Sequence, residues 1–222
     1  MSRVLDDLVA LLSLESIEEN LFRGASQDLG FRQLFGGQVL GQSLSAASQT
    51  VEEARHVHSL HGYFLRPGDA SLPVVYNVDR VRDKLLCAKP IEIRPVTAHN
   101  PYDPAPGEPV KYVWFRADGR LPDVPALHKY ILAYASDFGL LTTSLLPHGV
   151  SIWDRFMQVA SLDHALWFHR DLRADDWLLY AMDSPWSGNA RGFARGSIFN
   201  RQGQLVASVA QEGLIRKRED WQ

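Results

Sequence analysis

The amino-acid sequence predicts an α+β protein in which long helices pack against antiparallel strands, with that unit occurring twice along the chain. Three observations predict it. Three segments carry apolar residues at helical spacing, whereas most of the remainder alternates apolar and polar residues in short runs bounded by turn signals. A stretch from Phe64, FLRPGDASLPVVYNVD, is echoed by one of equal length from Phe168, FHRDLRADDWLLYAMD, with Phe64/Phe168, Arg66/Arg170, Tyr76/Tyr180 and Asp79/Asp183 in matching places. Each echo also follows a strand beginning Ser-Leu, at Ser59 and Ser161, and further upstream a long helix.

Taken in order, residues 1–20 read as an amphipathic helix, with Val4, Leu8, Leu11, Leu12 and Leu14 mostly on one face and Asp6, Asp7, Glu15, Glu18 and Glu19 largely elsewhere. A second helix begins at FGGQVLGQSLSAASQTV, where Val39, Leu40, Leu44 and Ala47 are spaced for one buried stripe. A third starts at Leu127 and runs through LHKYILAYASDFGLL. The strands are HVHSLHGYFL, PVVYNVDRV, PIEIRPV, KYVWFRA, VASLDHALWFHR, DWLLYAMD, RGFARGSIF and QLVASVAQEGLIRK, the last two joined by a hairpin turn at NRQGQ. The second copy continues past Asp183 into this hairpin, but the first runs from Asp79 through RVRD straight into KLLCAKPIEIRPV. Two repeats are therefore expected, residues 1–83 and 84–222, the first without its last pair of strands and hence with an exposed sheet edge.

Composition excludes several classes. With 45% hydrophobic residues, 23 Lys and Arg against 26 Asp and Glu, and no basic cluster, the chain forms a real core and offers no footprint for nucleic acid. No run approaches the length of a membrane span, the acidic N-terminal segment is no signal peptide, and KREDWQ is no peroxisomal address, so the expected compartment is cytoplasmic. The lone Cys87 rules out an internal disulfide and is expected to be a small core residue. His56, His58 and His61 lack a third ligand at sensible spacing, so no metal and no other cofactor is expected. There is no G-x-S-x-G elbow, and GGQVLG from Gly36 has the wrong spacing for a dinucleotide loop; it is a helix start whose bare N–H groups suit an anion or oxyanion.

Three polar residues stand in apolar rows. Asp137 has Tyr130, Ala133, Tyr134, Leu140 and Leu141 as helical neighbours, and a carboxylate on such a stripe must be hydrogen-bonded or perturbed; alternatively it lies at a helix end, with Gly139 close behind, and faces water. Gln211 falls on the strand face of Leu205, Ala207, Val209, Gly213 and Ile215, where its amide needs partners for both ends, whether as a structural or a functional group. Ser161 opens a strand on which the neighbouring Asp163 and His164 point to opposite faces and so do not form an acid–base pair. His164 reads as a satisfied core histidine and His169 as a surface one.

The segments FRGASQDLGFRQLFGGQVLGQSL, HSLHGYFLRPGD, CAKPIEIRPV, HKYILAYASDFGLL, SLDHALWFHR, DWLLYAMDSPW and ARGFARGSIFNRQGQLVASVAQEGLIR resemble the acyl-CoA thioesterase II family nearly end to end. The resemblance implies a double hotdog fold, each repeat a long helix packed on an antiparallel β-sheet. It also implies hydrolysis of fatty acyl-CoA to free fatty acid and CoA in a homodimer or higher homo-oligomer. It assigns the catalytic roles to Asp137 in YASD, Ser161 in ASLDH and Gln211 in AQEG, which together hold a water for attack on the thioester carbonyl. The family pattern departs in one place: a glycine-started pair of strands and a linker, on the order of 60 residues, is missing between VRD at Arg82–Asp83 and CAKPIEIRPV. That loss makes a non-catalytic acyl-CoA-binding or scaffold protein the rival reading. A hotdog enoyl-thioester hydratase lacks its Asp/His pair here.

Overall fold

The computed structural model describes residues 3–18, 21–26, 34–50, 57–64, 90–96 and 100–218. Cys87 and the expected strand PVVYNVDRV lie outside the described residues. Helix α1 spans Arg3–Leu12 and buries Leu5, Leu8, Leu11 and Leu12. The helix expected through residue 20 therefore ends eight residues early. Residues Glu15–Glu18 instead form a short strand, β1, paired antiparallel with β2 (Leu21–Arg23), and Arg23 grips Glu15 across the pair at 2.9 Å.

Helix α2 runs Gly36–Ser48. Its buried face is made of Gly37, Leu40, Gly41 and Leu44 together with Gln38 and Ser45, while Val39 is half-buried and Ala47 exposed. The expected aliphatic stripe is thus narrower and partly glycine. The reason is close packing: a Cβ on Gly41 would stand 2.8 Å from Leu12 Cδ2 and 3.3 Å from the Tyr130 carbonyl oxygen, so α2 is wedged between α1 and the third helix. That helix, α3, spans Pro125–Ala135, with Pro125 in its first turn where a missing N–H costs nothing. It ends before Asp137. A turn at 136–140 leads into a 3-10 helix, Leu141–His148.

The strands are β3 (Ser59–Tyr63), β4 (Ile91–Pro95), β5 (Val110–Ala117), β6 (Met157–Ser161), β7 (Asp163–Phe168), β8 (Leu178–Gly188), β9 (Arg191–Phe199) and β10 (Leu205–Lys217). Among the described residues they form one eight-stranded antiparallel sheet in the order β3-β7-β10-β9-β8-β5-β4, with β6 also on β10. Hairpin β9–β10 turns at Asn200–Gln204, where Asn200 Oδ1 accepts the N–H groups of Gln202 and Gln204 and Gly203 takes φ +74°. Distant parts of the chain meet in this sheet: β3, after α2, pairs with β7, after α3, and Leu60 lies opposite Leu166. Inward residues Leu166, Leu178, Tyr180, Met182, Ile198 and Val206 join Leu5, Leu8, Ile131 and Leu132 in one core, each aliphatic side chain contributing about 1.5–3 kcal/mol by burial.

The expected single strand VASLDHALWFHR is two strands, and the break matters. On β10, Gly213 pairs with Ser161 but Ala210 pairs with Ala165, so one extra residue is inserted at Leu162. Such a bulge shifts the facing of everything beyond it by one position. Ser161 and His164, which strict alternation would send to opposite faces, consequently share the inner face with Gln211.

Lys111 ends the inward row of β5 beneath the 3-10 helix, donating to Thr142 Oγ1 at 2.7 Å and to the Gly139 carbonyl at 3.4 Å. Burial lowers its pKa to about 8. Because the folded value lies below the ordinary lysine value, the charged form costs stability up to pH 8, and the cost fades as pH rises toward 10. Lys111→Met, which keeps the volume and loses the short hydrogen bond to Thr142 and the long one to Gly139, is expected to stabilise the protein by about 1–2 kcal/mol at pH 7. The advantage should vanish near pH 10; thermal unfolding of both proteins across that range measures it, and a less stable variant at pH 7 refutes it.

Candidate active site

Asp137, Ser161 and Gln211 converge. Gln211 Nε2 donates to Asp137 Oδ1 at 2.6 Å and Ser161 Oγ donates to the same oxygen at 3.3 Å, although the three residues come from the turn after α3, the end of β6 and the middle of β10. The Asp137 side chain is 6% exposed and Gln211 is fully buried. The carboxylate is thus neither on the helix proper nor facing water: it sits just past the helix C-terminus, tucked under the sheet.

A negative charge at the carbonyl end of α3 is poorly placed with respect to that helix's dipole. Helix α2 offsets it. Its first residue, Gly36, lies so close that a Cβ there would be 2.8 Å from Asp137 Oδ2 and 3.3 Å from Phe64 Cζ. Glycine at this point lets the positive end of α2, with its unsatisfied first N–H groups, approach the carboxylate's second oxygen. The helix start recognised in GGQVLG therefore faces the polar cluster, with Phe35 and Phe138 stacked beside it at 4.6 Å between ring centroids.

Sequence reasoning missed His164. Its ring is fully buried, with Nδ1 3.0 Å from Gln211 Nε2 and 3.7 Å from Asp137 Oδ1, and Nε2 2.9 Å from Ser136 Oγ. It is the satisfied core histidine expected from its strand, and the groups that satisfy it belong to the cluster. Asp163 does point the other way, accepting the Glu212 N–H at 2.5 Å and facing His61 Nε2 at 3.5 Å, while the exposed His169 meets Ser208. Burial holds the His164 imidazole below its ordinary pKa against the opposing pull of Asp137 and Asp163. Below the site, Tyr180 Oη donates to the Ser136 carbonyl at 2.8 Å, and burial raises that phenol well above its usual pKa, so it stays a neutral donor.

Counting donors exposes one open valence. Gln211 Nε2 donates to Asp137 and meets His164 Nδ1, and its Oε1 is buried with no partner among the described residues. An unpaired buried acceptor beside a carboxylate and a hydroxyl is a built place for a water molecule.

Comparison with known proteins places the chain in a family. The family model described as acyl-CoA thioesterase matches residues 81–214, and that of the acyl-CoA thioesterase N-terminal domain matches residues 26–84. The chain is 35% identical to acyl-CoA thioesterase 2 of Haemophilus influenzae, covering 99% of this chain and 100% of that protein. It is 33% identical to human acyl-coenzyme A thioesterase 8 over 94% and 88% of the two chains. The former alignment runs over 286 positions against the 222 residues here, so at least 64 positions fall opposite gaps in this chain. Among solved structures, an acyl-CoA thioesterase II from Mycobacterium marinum is similar at 34% identity and TM-score 0.73, covering 96% of this chain and 99% of that one. A hotdog protein from Alicyclobacillus acidocaldarius shares the fold at 13% identity and TM-score 0.64.

Proposed function

Because the chain belongs to the acyl-CoA thioesterase family, and is a thioester hydrolase of hotdog fold, we propose that it cleaves fatty acyl-CoA by direct attack of a water held by Asp137, Ser161 and Gln211. The observation that carries this reading is the unpartnered Gln211 Oε1 next to the Asp137 carboxylate. Ser161 and Gln211 anchor Asp137 Oδ1 from two sides, leaving Oδ2 toward the start of α2. A water between Oδ2, Ser161 Oγ and Gln211 Oε1 has its protons directed at acceptors and a lone pair free for the carbonyl carbon.

The reaction balances without a covalent intermediate. The water oxygen bonds to the carbonyl carbon as Asp137 takes its proton, and the resulting oxyanion is stabilised by the first N–H groups of α2 at Gly36 and Gly37. The carbon–sulfur bond then breaks, and the proton held by Asp137 passes to the departing thiolate. A thiol pKa near 8.5 makes that thiolate a competent leaving group with little further help.

The remaining parts of the reading are a cytoplasmic setting, repeats at 1–83 and 84–222, and assembly into a homodimer or larger homo-oligomer. The outward sheet face supports assembly: Tyr112, Trp167 and Trp186 are 44%, 38% and 49% exposed. Among the described residues no helix is long and apolar enough to cross a membrane.

The test is free-thiol release from acyl-CoAs of graded chain length. Turnover is expected, and Ser161→Ala should lower kcat about tenfold, the worth of one hydrogen bond to the reacting water. Acyl-CoA binding without thiol release at any chain length would replace this reading with the scaffold one.

A further inference from the structure

We infer that His164 is a positioning residue for the hydrolysis: its unprotonated Nδ1 locks the Gln211 amide in the sense that turns an acceptor, Oε1, toward the attacking water. The inference rests on the reading of Gln211 given above and extends it to a residue outside the Asp137–Ser161–Gln211 set.

Ser136 Oγ has a single proton and places it on the Ala133 carbonyl at 2.9 Å, so toward His164 it can only accept. The proton between them therefore belongs to His164 Nε2, and a neutral ring with Nε2–H has a bare Nδ1. That bare nitrogen faces Gln211 Nε2 at 3.0 Å and takes its second hydrogen, the first being held by Asp137. A single assignment of protons satisfies the chain Gln211–His164–Ser136–Ala133, and it leaves the unpartnered atom of Gln211 as an oxygen, an acceptor for the water.

The alternative states are all worse. A ring protonated on Nδ1 alone would set two donors against each other at Gln211, and Ser136 could serve the bare Nε2 only by giving up the Ala133 carbonyl. Flipping the amide to relieve this would bring Oε1 against the Asp137 carboxylate and aim an N–H at the water, which then could not be held by its proton. A doubly protonated ring is equally misplaced, and it would swing toward Asp137 Oδ1, 3.7 Å away, competing for the base itself. The titratable groups around the ring are Asp137 beyond α3, Asp163 on β7 itself, Tyr180 on β8 through Ser136, and His61 on β3 through Asp163; Gln211 on β10 is neutral. Burial opposes protonation, which suits a residue that must stay neutral while the enzyme works.

Two measurements test this. In the native protein, nitrogen NMR of the His164 ring should show Nε2 protonated and Nδ1 bare; the opposite tautomer overturns the inference. In kinetics, His164→Phe should lower kcat about 10²-fold with KM little changed, as misplacement of a water-holding group does. His164→Asn, whose amide oxygen can stand near the place of Nδ1, should recover most of that loss, and the acid limb of its kcat profile should move to lower pH because Asn does not titrate. A fully active His164→Phe, or an Asn variant no better than Phe, overturns it. Asp137→Asn separates the two levels: if that variant keeps wild-type turnover the catalytic reading itself has failed, whereas an inactive Asp137→Asn beside a fully active His164→Phe rejects the role of His164 alone. Where a variant does not fold, the tautomer in the native protein decides.

Discussion

Asp137→Asn is expected to lower kcat by about 10³-fold while leaving KM within a small factor. Asn is nearly isosteric, and its Oδ1 can still accept from Gln211 Nε2 and Ser161 Oγ, so the scaffold around the water survives. What disappears is the acceptor of the water's proton. Without it, attack must generate a protonated nucleophile beside partners that do not take the proton: Ser161 and Gln211 are not bases, and His164 offers its bare nitrogen to Gln211. Binding should persist because the lost interaction belongs to the transition state rather than to the bound thioester. Stability should hold or rise, since a carboxylate with only 6% exposure at the wrong end of a helix is a cost that function maintains. Thiol-release kinetics with an unfolding curve for the same preparation checks both halves. Wild-type turnover in the variant would remove Asp137 from the mechanism.

The distance between what the sequence told and what the chain does is concentrated at irregular backbone. Alternation on β10 was legible because the inner row from Ala207 through Gln211 to Gly213 is uninterrupted, so Gln211 could be assigned to the buried face from its neighbours alone. Helical spacing around Asp137 gave the right degree of burial for an incomplete reason: the residue follows α3 instead of lying within it, and the 136–140 turn happens to continue the helix's facing. His164 was lost to the bulge at Leu162. Alternation relates Asp163 to His164 correctly, but it cannot reveal that one extra residue brings Ser161 and His164 to the same side, because a bulge is specified by pairing with β10 and leaves no local mark when no glycine accompanies it. The first helix was over-extended for a similar reason: Glu15 and Glu18 fit a helical polar face, and only their pairing with β2 shows otherwise. Apolar spacing also could not distinguish a leucine stripe on α2 from a glycine one, although the two pack at different depths.

That glycine stripe yields the second large effect. Gly37→Ala is expected to destabilise the protein by about 1–3 kcal/mol, the usual cost of forcing a methyl group into a closed contact, and to lower kcat by about 10²-fold or more through loss of oxyanion donors. A Cβ on Gly37 would overlap the backbone carbonyl oxygen of Tyr134 and lie 2.5 Å from Phe35 Cε1. A side-chain tip can rotate away, but a main-chain oxygen inside α3 cannot move without the helix, so α2 must shift outward from α3. The same displacement carries the first N–H groups of α2 away from Asp137 Oδ2, which Gly36 brings within a methyl's reach. Helix packing and charge stabilisation are therefore one contact measured twice, and the losses should move together. Unfolding curves give the first and thiol-release kinetics the second. A Gly37→Ala protein that unfolds earlier yet turns over at the wild-type rate would show that α2 supplies no oxyanion donor, leaving the Asp137, Ser161 and Gln211 cluster to act with donors from another element.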